Sequence, residues 1–152
     1  MRKILLALAI VSAFSLGWAA RDWRAELLAV QKLELDAHLK TDASLLQPSA
    51  GPMVSVSSGK ISRITPEASH AFFTEYFRNA HYPLYENAEP PIVGVSQDGT
   101  LGYVISRVRA HRVQAGADGK SREGRFVYAG IMVYEWRDGR YVRVANVSTF
   151  EP

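Results

Sequence analysis

FVYAGIMVYEWRDGRYVRVANVSTF, residues 126–150, is the stretch whose reading decides how this chain folds. Asp138-Gly139 lies between two runs of β-branched and aromatic residues. A DG pair in that setting predicts a two-residue hairpin turn, because a type I′ turn needs positive φ at both central positions. Such a turn sets Arg137 opposite Arg140. An unbroken ladder then pairs Trp136 with Tyr141, Val133 with Val144 and Ile131 with Asn146. In that register Ala129, Ile131, Val133, Val142 and Val144 share a face with Asn146 and Ser148, and Tyr128, Met132, Trp136, Tyr141 and Val147 share the other. Both faces carry apolar side chains, so the hairpin is expected inside a sheet with covering layers.

Upstream, a second DG pair, Asp98-Gly99, joins Ile92–Ser96 to Thr100–Val113 and predicts another hairpin of the same kind. Val93, Val95 and Val104 fall on one face of this pair. Ile92, Leu101, Tyr103 and Ile105 fall on the other, and two apolar faces predict a central pair covered on both sides. Between the long hairpins, Ala115–Gly124 is polar, charged and glycine-bearing, and reads as a mobile connection.

The first part of the chain reads as helices. Asp22 is placed to cap a helix from Trp23 to about Thr41, with Leu28, Leu35 and Leu39 at helical spacing. Asp42 is placed to cap a short second stretch through Leu46, ended by Pro48 and Gly51. Met53–Val56 and Ile61–Ile64 read as strands around the turn residues Ser57-Ser58-Gly59. Thr65, Pro66 and Glu67 then start a helix whose apolar face is Phe72, Phe73, Tyr76, Phe77 and Ala80 and which ends before Pro83. Helices first and a curled antiparallel sheet afterwards make the class α+β.

Residues 1–20 read as a signal peptide: basic Arg2 and Lys3, an uncharged apolar run from Ile4 to Leu16, and the small-residue exit Gly17-Trp18-Ala19-Ala20, with a cut after Ala19 or Ala20. Residues 21–152 are then one domain, periplasmic or secreted, with no membrane association once the signal is removed; the apolar run is short for a membrane span, and a retained anchor is the alternative. There is no Cys, so the fold must stand on its core. The first 20 residues hold two of the eighteen basic residues and none of the fifteen acidic ones, which leaves the remainder with a net charge of +1. That balance argues against nucleic acid as a partner, since nucleic-acid binders concentrate positive charge and the only basic cluster here spans Arg107 to Arg125.

Four features together resemble the nuclear-transport-factor-2-like superfamily. They are the step Thr41-Asp42-Ala43-Ser44-Leu45-Leu46 after a first helix, a short strand ending in Gly59, an aromatic-rich helix, and paired hairpins closing on Asp138-Gly139-Arg140-Tyr141-Val142. That superfamily includes ketosteroid isomerases, polyketide cyclases and many secreted bacterial domains. The resemblance spans Trp23 to Thr149. It implies a cone of three helices packed on a strongly curved sheet, with a pocket between them, and dimers formed through the sheet. The isomerase machinery does not carry over. Where the resemblance calls for a Tyr in the first helix the chain has Glu34 and Leu35, and where it calls for a proton-shuttling Asp on the first strand the chain has Val56.

No catalytic residue is assigned from the sequence. His38, beside Leu35 and Leu39, reads either as an acid or base at a pocket mouth or as a buried, hydrogen-bonded structural residue. Asp42 reads first as a helix cap. Arg107, Arg109 and His111 share a strand face, as an anion site or as a solvated strand end. Tyr76 and Tyr103 suit a pocket wall, and Tyr128 has the same amphipathic character. Asn146 and Ser148 are polar where the hairpin pattern asks for apolar residues. They mark either the polar end of a cavity walled by Tyr76 and Tyr103 with His38 nearby, or a strand running out of the core. His38, His70, His81 and His111 lack a paired ligand spacing, so neither a metal nor another cofactor is expected. The first expectation is an exported domain binding a small apolar or amphipathic molecule. An acid-base lyase or isomerase and a non-catalytic interaction module are the alternatives. Tyr134, Trp136 and Tyr141 crowd one hairpin face, and that aromatic surface points to a homodimer.

Overall fold

The structure, a computed structural model, describes residues 21–46, 49, 51–116 and 118–151, so the expected signal peptide lies outside the described residues. Helix α1 (Trp23–Lys40) begins where expected. The Asp22 carboxylate accepts from the Ala25 N–H, and Thr41 ends the helix in the left-handed region. Asp42 does cap, but it caps a single 3₁₀ turn, Ala43–Leu45. Among the described residues there are therefore two α-helices and not the three that the resemblance implies. Strands β1 (Met53–Ser57) and β2 (Lys60–Ile64) form a short hairpin. Helix α2 (Pro66–Asn79) is capped by Thr65, with Pro at its start. Strands β3 (Ala80–Asn87), β4 (Ile92–Val95), β5 (Leu101–Ala115), β6 (Ser121–Arg137) and β7 (Arg140–Phe150) follow.

All seven strands join one sheet in the order β2-β1-β7-β6-β5-β3, with β4 beside β3 along the same edge of β5. Only β1 and β7 run parallel. The helices cover the inner face of this curved, mainly antiparallel sheet. Two buried clusters hold the layers together. One, at the Trp23 end of α1, is built from Leu27, Val104, Tyr134 and Tyr141; the other, at the His38 end, from Ala37, Phe77, Tyr82 and Tyr85. The amides of Gln31 and Asn87 meet between them, Gln31 Nε2 donating at 2.7 Å, and tie α1 to β3.

The Asp138-Gly139 turn forms with φ of 49° and 81°, Arg137 opposite Arg140 and Trp136 opposite Tyr141. Beyond that the ladder departs from the expected register. Tyr134 pairs with Arg143 but Val133 pairs with Ala145, which leaves Val144 as a bulge. One extra residue reverses the alternation of everything after it. Asn146 therefore lies opposite Met132, and it and Ser148 join the inner face with Tyr128 and Met132, while Val147 goes outside with Ile131.

Three further expectations are corrected. Asp98-Gly99 is part of a four-residue loop closed by Ser96 and Leu101, in which only Gly99 is left-handed. The Asp98 carboxylate gathers Ser96 Oγ, Thr100 N and Thr100 Oγ1, and these bonds lower its pKa to about 2. The connection between the long hairpins is only the stretch 116–120, because β5 runs on to Ala115 and β6 starts at Ser121. The β4–β5 pair is covered on one face. Val93 and Val104 are buried, whereas Ile92, Leu101, Tyr103 and Ile105 are exposed on the outer side.

The aromatic face of the last hairpin is core. Tyr134 and Tyr141 are buried, and Tyr141 donates to the Gly99 carbonyl at 2.9 Å. The ring of Trp23 meets those of Trp136 and Tyr141 edge-on, and the Arg21 guanidinium lies 3.1 Å from the Trp136 ring centroid. Those side chains offer no dimer surface. An apolar row lies on the opposite face, where register aligns one side chain from each of six strands: Ile92, Ile105, Ile131, Val147, Val56 and Ile61. Of these Ile61 is 77%, Ile92 60%, Val147 45% and Ile105 37% exposed. Further along β5 the same outer face becomes ionic, with Arg107, Arg109 and His111 paired to Glu151, Glu86 and Glu123. The anion site considered for those three residues is already filled by carboxylates of the chain.

Candidate functional site

Between the helices and the inner sheet face, at the His38 end of α1, is a cavity of about 690 Å³, within the range that suits a drug-sized molecule. Its walls are aromatic: Phe73 and Tyr76 from α2, Tyr82 and Tyr85 from β3, and Phe126 and Tyr128 from β6. The helical spacing of α2 and the two-residue period of β6 aim four of these rings at a common space, and a register shift between His81 and Leu84 brings Tyr82 and Tyr85, three residues apart on β3, to the same face. Phe72 and Phe150, more than half exposed, stand at the rim.

His38 is buried in this wall. Its ring stacks on Tyr85 with centroids 4.0 Å apart and planes 1° from parallel, and it meets Phe73, Phe77 and Tyr82 edge-on. Nδ1 lies 2.8 Å from the backbone carbonyl of Glu34, one turn back. A carbonyl only accepts, so Nδ1 carries the proton and Nε2 keeps its lone pair. Nε2 has no hydrogen-bond partner among the described residues. Burial pushes the imidazole below its usual range, and the Glu34 carbonyl offsets this in part. The ring is a neutral member of an aromatic box.

The carboxylate of Glu34 lies on the same inner side of α1 and binds Arg143 Nη1 at 3.0 Å. Both side chains are largely buried, and the Glu34 charge holds the Arg143 guanidinium above its ordinary pKa. This pair joins α1 to β7 at the floor of the cavity. Just beyond it Asn146 Oδ1 is sealed from solvent and has no partner among the described residues, and Ser148 Oγ donates to Ser57 Oγ at 3.2 Å. An unmet buried acceptor costs about 1–3 kcal/mol.

The phenols form two pairs. Tyr85 and Tyr128 hydroxyls meet at 2.8 Å, and Tyr76 and Tyr82 hydroxyls meet at a short contact. Burial pushes Tyr82, Tyr85 and Tyr128 well above the ordinary phenol range, so all three stay protonated. Arg112 Nη1 donates to Tyr76 Oη at 3.2 Å, and the guanidinium lies 5.9 Å from the Phe126 ring. Among the described residues no group of three or more His, Asp or Glu side chains is arranged to hold a metal ion.

Of the five residues singled out from the sequence, His38, Tyr76, Asn146 and Ser148 line this one cavity. Tyr103 does not. It occupies an outward position of β5, and its ring lies across Gly94, where a Cβ would come within 2.3 Å of it. A glycine on β4 is what lets the ring lie flat there. The bulge at Val144 explains how Asn146 and Ser148 arrive without Val142 and Val144, the face-mates expected for them. Val56, which stands where the resemblance calls for the isomerase Asp, points outward, and Met53 and Ser55 are the β1 residues that line the cavity. The sequence reading missed Glu34, Arg112 and Arg143. A signal for Arg143 was present, since it stands two residues from Tyr141 and shares its face. Its partner is 109 residues away, and no spacing rule links them.

No family model matches the chain, and no curated protein matches it. Solved structures do. A nuclear-transport-factor-2-like protein from Cytophaga hutchinsonii superposes with a TM-score of 0.64 at 16% identity, over 86% of this chain and 100% of that one. A ketosteroid isomerase-like protein from Erwinia carotovora atroseptica gives 0.64 at 13% identity, over 87% and 99%. The association domain of C. elegans calcium/calmodulin-dependent kinase II gives 0.55 at 16%, over 83% and 94%. Helices on one face of a strongly curved, mainly antiparallel sheet define an α+β cone. In this chain that cone is the nuclear-transport-factor-2-like fold, and at these identities the likeness establishes the fold alone.

Proposed function

We propose that this is a small-molecule-binding domain whose ligand is an amphipathic molecule held in the aromatic cavity. The observation that carries the reading is the cavity of about 690 Å³ itself, walled largely by aromatic rings and edged by the polar side chains of Ser69, Arg112, Asn146 and Ser148. Acid-base catalysis has weaker support. A catalytic His is usually oriented by a carboxylate, whereas His38 is oriented by a backbone carbonyl and the nearby carboxylate of Glu34 is taken by Arg143. Native mass spectrometry of the purified protein tests for a co-purified molecule. Asn146→Leu with Ser148→Ala then separates the cavity from a merely structural strand end. Loss of the bound mass with an unchanged unfolding midpoint supports binding, and an unchanged bound mass overturns it. Export rests on the composition of residues 2–20, and N-terminal sequencing of protein from the producing cell checks it.

A second reading, self-association, is favoured by the six-strand apolar row on the outer face. A row of Ile and Val across six strands, four of its side chains exposed, is the kind of contiguous apolar patch that marks an interaction surface. One of the structurally similar proteins is an association domain, and a second copy of the chain offers the matching row. Light scattering at micromolar concentration should give twice the monomer mass, and Ile105→Lys should return it to the monomer mass. A monomer in the unaltered chain would exclude this reading.

A further inference from the structure

Two guanidinium groups line the cavity, and they are balanced differently. Arg143 is matched by Glu34. Arg112 has no carboxylate within ion-pair distance among the described residues, and its polar contact is the Tyr76 hydroxyl. Hydrogen counting sharpens the contrast. Tyr76 and Tyr82 carry two hydroxyl protons and share one mutual bond, so one proton remains for a further acceptor. Tyr76 accepts from Arg112, and the guanidinium has four more N–H groups. This corner of the cavity is therefore cationic and rich in donors. Opposite Arg112 in the ladder stands Gly124, where a Cβ would meet nothing within 4 Å, so no side chain from β6 occupies the space beside it. The next inward residue on β6, Phe126, continues the apolar wall.

We propose that the ligand is an amphipathic anion, an organic carboxylate whose charged head is bound by Arg112 with the Tyr76–Tyr82 hydroxyl pair and whose apolar body lies along Phe126 and Tyr128. This rests on the small-molecule reading above and adds the charge of the head group. A planar guanidinium binds a carboxylate through two parallel N–H bonds, and the ring-lined space behind it takes the tail.

The test uses the neutral fluorescent probe N-phenyl-1-naphthylamine on the full chain, displaced by decanoate or by 1-decanol, two competitors that differ in head-group charge. Decanoate should compete roughly tenfold more tightly than decanol, the ratio expected when one charge-assisted contact is added. Arg112→Gln should bring the ratio close to one. Arg109→Gln removes the same charge from an outer-face pair with Glu86 and should leave the ratio intact. Tyr76→Phe, which keeps the ring, should lower the ratio severalfold and serves if Arg112→Gln unfolds. If the probe binds but the two competitors are equal, or if the preference survives both cavity variants, the anion inference fails and the cavity reading stands. If the probe does not bind the unaltered chain, both fail.

Discussion

The space between α1 and the sheet is used in opposite ways at the two ends of the helix. At the Trp23 end it is filled: Leu27 and Val104 are fully buried, Tyr141 is closed onto the Gly99 carbonyl, and three aromatic rings meet edge-on under the Arg21 guanidinium. At the His38 end the same two layers stand apart around a cavity of about 690 Å³ whose rings are linked by hydroxyl pairs. One layer arrangement thus supplies both a stabilising core and a binding space. The difference lies in side-chain volume and in where polar groups are admitted. A closed end can carry the stability that an open end gives up.

Leu27→Ala tests this division most severely. The side chain is fully buried at the filled end, and its removal should cost about 4 kcal/mol in chemical denaturation while leaving probe binding in the cavity intact. The Glu34–Arg143 pair lies where the two regimes meet. Glu34→Leu strands a buried guanidinium and should cost about 3 kcal/mol. Glu34→Leu with Arg143→Met should recover most of that loss, and equal losses in the single and double variants would show that the pair is not the cause.

A third comparison uses pH. His38 has a folded pKa below its unfolded value of 6.5, because burial disfavours the imidazolium. Above pH 6.5 the ring is neutral in both states. As pH falls through 6.5 the unfolded chain takes up a proton that the folded ring refuses, so stability declines until the depressed folded pKa is reached. Between pH 7.5 and 5.5 the unaltered chain should therefore lose more stability than His38→Gln, as read from thermal midpoints. Parallel curves would remove the neutral buried imidazole from the account. The smallest effect belongs to the rim. Phe72 is 60% exposed, so Phe72→Ala should change stability by no more than about 0.5 kcal/mol, and its effect should appear instead in probe affinity.

Local chemistry is legible in the sequence. Asp22, Asp42 and Thr65 each cap the segment that follows them, and Asp138-Gly139 turns with the register that two left-handed residues require. In these cases the deciding interaction spans a few residues. What the letters concealed depended on distant parts of the chain. A β-strand with apolar side chains on both sides looks the same whether both sides are covered or one faces water, and so the outer side of Ile92 and Ile105 was misjudged. Tyr134 and Trp136 read as surface because nothing in their own stretch announces that α1 lies on them. Within the site, His38 and Tyr76 were visible as polar groups on apolar faces. Arg112 and Glu34 looked like ordinary charged residues until the fold brought the first to a phenol pair and the second to Arg143.

Val144 has a consequence for how this chain tolerates changes in length. Elsewhere in a long strand, losing one residue sends every later side chain to the wrong side of the sheet. Here the residue is already surplus to the ladder, since Tyr134 and Val133 are consecutive while their partners Arg143 and Ala145 are not. A chain lacking Val144 keeps Arg143, Asn146 and Ser148 inward and Ala145 and Val147 outward. It gives up the extra bend and twist that a bulge lends its strand. A one-codon deletion there would trade curvature for a straighter strand without scrambling the inventory of the cavity. At Val142, two residues earlier and before the surplus, the same deletion could be absorbed only if the bulge were drawn into the gap.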